Sequence, residues 1–97
     1  MEVFAIREFY CPGKKVVLTI YKPVRDPLSG DRAVRWTVSG LKREISCYSY
    51  GVDDIQVIVH AIRSAGSKLY SSEEYTSGVL KWSAGNTQTD LGLIVDP

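Results

Sequence analysis

The chain has 97 residues, 44% hydrophobic and 24% charged, with a net charge of +1. That length supports one core and a single domain, 1–97, and the composition is that of an ordinary globular protein. The near-neutral total argues against a general nucleic-acid binder, which needs a dense basic footprint, and no apolar run approaches the roughly 20 residues that cross a bilayer.

Val3 to Tyr10 is apolar and aromatic, broken only by Arg7 and Glu8, and reads as a strand. Cys11-Pro12-Gly13-Lys14 then supplies proline and glycine at the two central positions of a type II turn. Val16, Leu18 and Ile20 alternate with Val17, Thr19 and Tyr21, predicting a second strand antiparallel to the first. "KPVRDPLSGDR", with two prolines and a glycine, reads as a loop. In "RAVRWTVSG" the alternation places Val34, Trp36 and Val38 inward and Arg35, Thr37 and Ser39 outward. Ser39-Gly40 turns the chain, and Arg43 to Tyr50 returns as a fourth strand. Its two faces, Ile45/Cys47/Ser49 and Ser46/Tyr48/Tyr50, are too mixed to say which is buried.

"YGVDDIQVIVHAIRSAGSKLY" carries many β-branched residues, yet its pattern is helical. Asp53 is placed as N-cap and Gln56 follows three residues later, with Val52 and Val57 as a hydrophobic staple. Asp53, Gln56, His60, Arg63, Ser64 and Ser67 gather on an arc of roughly 100°. The rest is apolar, so a helix over about 53–66 is predicted, ended by Gly66 and covered on more than one side. "LYSSEEYTSG" reads as a short extended acidic piece ending in a turn, Gly78–Ser83 as a fifth strand, "AGNTQTD" as a loop, and "LGLIV" as a closing edge strand. The expected fold is α+β: an antiparallel sheet of five to six strands with a single helix packed on one face.

The chemical inventory is thin. His60 is the only histidine and falls in the helix's polar stripe, which predicts a solvated surface position. Cys11 and Cys47 lie far apart without metal-type spacing, so they read as free thiols of a cytoplasmic protein. The start Met1-Glu2-Val3 lacks the features of a signal peptide. Asp53 and Asp54 point about 100° apart on a helix and are poorly placed to share one substrate atom. The glycines form neither a dinucleotide fingerprint nor a phosphate loop. These absences predict no cofactor, no metal, no enzymatic activity and no reactive pocket, leaving the exterior to act.

Charge along the chain gives the exterior its character. Residues 1–43 hold nine Lys/Arg and four Asp/Glu (+5), and residues 44–97 hold three and seven (−4). An acidic half suits a basic protein partner. Asp53, Asp54, Glu73, Glu74 and Asp90, with the amphipathic rings of Tyr70 and Tyr75, form the expected contact set. If the basic half is used, Arg25, Arg32 and Arg35 are its candidates. The alternative is a nucleic-acid-binding or regulatory module that uses Arg35, Trp36, Tyr48 and Tyr50 on a sheet face.

The stretch "YGVDDIQVIVHAI", with "LYSSEEYTSGVLKWS" and a late "DLGL", resembles a family of small uncharacterised bacterial proteins. The likeness covers about residues 50–93 and rests on Gly51, Val52, Asp53, Ile55, Gln56, Gly78, Leu80, Trp82, Gly92 and Leu93. Val57 and Ile94-Val95 depart from it, where the family tends to have alanine and a proline. In general character the chain is also similar to immunity proteins of bacterial toxin systems, including contact-dependent growth inhibition. That likeness implies a cytoplasmic protein that binds and neutralises a cognate toxin, expected to be a nuclease and an RNase before a DNase, with no direct nucleic-acid or membrane contact.

Overall fold

A computed structural model describes residues 1–83 and 91–93 of the chain. The strands are β1 (Val3–Cys11), β2 (Lys14–Tyr21), β3 (Val24–Arg25), β4 (Arg32–Ser39) and β5 (Ile45–Gly51), followed by helices α1 (Asp54–Tyr70) and α2 (Glu73–Thr76). All the strands pair antiparallel in one five-stranded sheet. β2 and β3 run along the same strand, β4, one after the other, and β5 pairs with the opposite side of β4. The fold is α+β, with one long helix against the sheet.

The alternation in the strands becomes two faces. Phe9, Cys11, Val16, Leu18, Ile20, Val34, Trp36 and Val38 point to one side and are buried. Trp36 faces Cys47 across the β4–β5 ladder, so Ile45, Cys47 and Ser49 join this inner face while Ser46, Tyr48 and Tyr50 point out. On α1, Val57, Ala61, Ala65 and Leu69 recur every four residues and are fully buried against the sheet. Each large member of this stripe contributes roughly 1.5–3 kcal/mol by leaving water.

Gly66 does not stop the helix. It is buried mid-helix, and the chain continues to Tyr70 because Leu69, with no exposed surface, lies beyond it. The burial of that leucine outweighs the ~1 kcal/mol that glycine costs in a helix. Asp53 caps as expected, accepting the Gln56 N–H at 2.8 Å, and Gln56 Oε1 accepts the Val52 N–H at 2.7 Å. The staple does not form, since Val52 is 80% exposed. Val57 packs on Gly51 instead, where a Cβ would lie 2.8 Å from the Val57 nitrogen. The apolar arc is also covered less widely than predicted, with Ile55 left in solvent.

Three connections differ from expectation. The loop after β2 contains β3, because the start of β4 offers Ala33 and Arg32 as pairing partners to Val24 and Arg25. The piece after α1 is the helical turn α2 and is not extended; Ser72 caps it, accepting the Tyr75 N–H at 3.2 Å. Gly78–Ser83 forms a single bridge, Lys81 with Tyr10, rather than a strand. Leu80 beside it is buried, while the Trp82 ring turns to stack under the Arg7 guanidinium at 4.3 Å. Arg7 Nη1 also donates to the carbonyls of Leu91 and Gly92, clasping the late segment to β1. Leu91–Leu93 is not a strand, and Leu91 is fully buried. The predicted loop 84–90 and the Ile94-Val95 part of the predicted closing strand lie outside the described residues.

Candidate functional site

The structure divides the predicted contact residues. Asp53 and Asp54 stand at the start of α1, while Tyr70, Glu73, Glu74 and Tyr75 gather beyond its other end, roughly 25 Å away at 1.5 Å per residue. Asp90 lies outside the described residues. Most of the acids are already engaged. Asp53 caps α1, Asp54 pairs with Arg32, and Glu73 is 3.5 Å from Lys42.

Glu74 is the strongest case of internal use. It is buried, and its Oε2 accepts the Lys42 backbone N–H at 2.7 Å and the Lys14 ammonium at 3.0 Å. The Lys42 N–H holds its carboxyl below the usual range; burial opposes this, and Lys14 adds to it. Glu74 therefore ties α2 to the β1–β2 turn and the Leu41–Lys42 segment. Tyr70 and Tyr75 meet edge to face at 4.8 Å, and the Tyr70 hydroxyl accepts the Leu91 N–H at 2.8 Å. Both rings are half-buried parts of the framework.

Two other surfaces emerge. The first is the outer face of the sheet, which no described element covers. Ile6 is 58% exposed, Tyr48 52% and Tyr50 51%, with Tyr10 at the far corner. Across the strands, Arg35 is directly opposite Tyr48, and its guanidinium lies 5.5 Å from the Tyr21 ring centroid. Thr19 and Thr37 pair beside them, next to Ile6. Sequence alternation places these residues on one side, but only the sheet order makes them neighbours. Trp36, grouped with them in the sequence reading, belongs to the opposite face and is 1% exposed.

The second is a cleft of about 670 Å³ between the Leu41–Cys47 segment and the α1–α2 junction. Lys42, Arg43 and Lys68 lie around it, with Cys47, Ser71 and Ser72. Sequence reasoning missed it because its walls are about 25 residues apart in the chain. Outside this cleft His60, expected in solvent, is half-buried with Nδ1 2.8 Å from the Tyr50 carbonyl. A carbonyl accepts only, so Nδ1 carries the proton and Nε2 faces away. Among the described residues no group of three His, Cys, Asp or Glu side chains is placed to hold a metal ion, and no helix is long and apolar enough to cross a membrane.

The fold and surfaces define a small α+β domain with one sheet face covered by a helix and the other left uncovered by the described residues. The chain belongs to the family described as a domain of unknown function, DUF6968, which matches residues 5–95. Comparison with curated proteins and with solved structures finds no match.

Proposed function

We propose that this domain is a non-catalytic binding protein that neutralises a partner, in the manner of an immunity protein against a toxin domain, and that it docks through the outer sheet face. The observation that carries the reading is that face's bare cluster of Ile6, Tyr48 and Tyr50 around Arg35. Tyrosine rings add contact area with few torsions to immobilise, and arginine among aromatics is the usual make-up of an energetic centre. Ile6, Tyr10, Tyr48 and Tyr50, each about half exposed, offer on the order of 400 Å². A standard interface takes about 800 Å² from each partner, so this cluster would form the centre of the contact and not the whole of it. The dispersed and paired acids favour this face over an acidic one, and with them goes the argument for a nuclease in particular.

Co-expression tests it. The polypeptide encoded immediately upstream, if it ends in a toxin-like domain, is expressed with the wild-type protein or a Tyr48→Ala/Tyr50→Ala double variant. The expected result is protection by the wild type and its loss in a double variant that still melts cooperatively. Equal protection by both would remove the outer face from the proposal.

A second reading has its own observation. Arg35 lies between Tyr21 and Tyr48 on an exposed antiparallel sheet, an arrangement on which bases of single-stranded RNA can stack. Filter binding with RNA at moderate salt separates the two readings; retention abolished by Arg35→Ala would favour RNA.

A further inference from the structure

The β5 edge and the cleft beneath it lie apart from the outer face. Sheets normally protect their edges with charges, prolines, bulges or a covering segment. The β1 edge has such protection: its register shifts between Val3 and Ala5, and Lys81 bridges Tyr10 with two backbone hydrogen bonds. β5, "ISCYSYG", contains no charged residue and no proline, and among the described residues it pairs with β4 alone.

In an antiparallel ladder every second residue turns its N–H and C=O away from its partner strand. The His60 bond marks the Tyr50 carbonyl as directed off the edge. By the two-residue period the backbone groups of Tyr48 and Ser46 point the same way, and the cleft opens beside Ser46. Its other wall is the end of α1, at Lys68 and Ser71. The cleft is thus a groove between an edge strand and a helix, and its volume lies within the roughly 300–1,000 Å³ of ordinary ligand sites.

The backbone specifies what fits. Unpaired N–H and C=O groups at strand spacing are satisfied by another extended strand. Its inward side chains would meet Ile45 and Cys47, the half-buried inner-face residues of β5. The charges add a preference. Glu73 and Glu74 are matched by Lys42 and Lys14, which leaves Arg43 and Lys68 against Glu44 without an ion pair among the described residues.

We propose that the β5 edge accepts an extended peptide segment of a partner protein by strand addition, with apolar side chains directed into the cleft beside Ile45 and Cys47 and a carboxylate towards Lys68 and Arg43. This site is distinct from the outer face and goes beyond the reading given for it.

The test selects a randomised short-peptide library on the folded full chain, then synthesises the enriched peptide. Expected are alternating apolar residues with an Asp or Glu, slowed exchange of the Ser46 and Tyr48 amides on binding, and a loss of about tenfold when alternate peptide nitrogens are methylated. Lys68→Glu should also weaken binding, and Ser46→Pro should abolish it, since an edge N–H that faces away from the ladder tolerates proline. N-methylation leaves the protein untouched, so the test stands even if Ser46→Pro fails to fold. A library with no enriched peptide, a peptide indifferent to N-methylation, or binding that perturbs Tyr21 and Arg35 without slowing exchange of the Ser46 and Tyr48 amides would overturn the proposal.

Discussion

Glu74→Ala is expected to destabilise the domain by about 2–3 kcal/mol at neutral pH. The carboxylate joins three segments that are otherwise separate: α2, the β1–β2 turn through Lys14, and the Leu41–Lys42 segment. Its side chain is 11% exposed, so water does not replace those bonds cheaply. The 2.7 Å bond from the Lys42 N–H is charge-assisted, and such bonds contribute about 1.5–3 kcal/mol net. Lys14 is 39% exposed and rehydrates when freed, so its share is discounted to ~0.5 kcal/mol. For a domain of this size each kcal/mol moves Tm by about 4–8 °C, which predicts a drop of roughly 10–20 °C. The pH dependence has a defined sign. The folded carboxyl titrates below its ordinary 4.5, so its contribution is complete above that value and is lost as pH falls through the lowered folded one. Urea unfolding of wild type and Glu74→Ala should therefore give a stability gap that is constant near neutrality and narrows in acid. Glu74→Gln, which keeps an acceptor without the charge, should fall between them. A neutral-pH gap under ~0.5 kcal/mol, or one that does not change on acidification, would refute the assignment of Glu74 as a structural anion.

Other expectations concern packing and the helix start. Gly40→Ala should be severe, by 3 kcal/mol or more on the order of overpacking plus strain. Its φ is +93°, and a Cβ would lie 2.0 Å from the Lys15 carbonyl oxygen; melting within a few degrees of wild type would show that this contact can relax. Leu69→Ala should cost about 2–5 kcal/mol by denaturant midpoint, since the side chain is fully buried, and a smaller loss would mean that the helix end is not packed. Asp53→Ala should cost about 1 kcal/mol, with Asp53→Asn restoring most of it; equal losses in both would point away from capping.

Much of the fold was legible because its signals are local. Pro12-Gly13 with Gly13 at φ +77°, the alternation through Val34, Trp36 and Val38, and the Asp53 cap each depend on neighbours in the chain. The errors arose where distant contacts outweighed a local signal. Gly66 looks like a stop until Leu69 is seen against the sheet, and "GVLKWS" looks like a strand until Arg7 draws Trp82 out of line. Ser72 followed by two glutamates was a helix start that could have been read, with a cap and acids in the first turn. The acids were recognised as chemistry, but their cationic partners come from the other half of the chain. The outer face combines residues from four strands, and the β5 groove is defined by the backbone of an edge, which no residue type announces.

The two indoles occupy opposite environments, and this gives the protein an intrinsic optical reporter. Trp36 is 1% exposed with its Nε1 lacking a partner among the described residues, while Trp82 is 43% exposed beneath a guanidinium. A dissolved quencher reaches the second emitter and is shut out from the first. Loosening of the late segment from β1 would thus change the red side of the emission while the blue side still reports an intact interior. Partial opening and complete unfolding can be told apart without attaching any label.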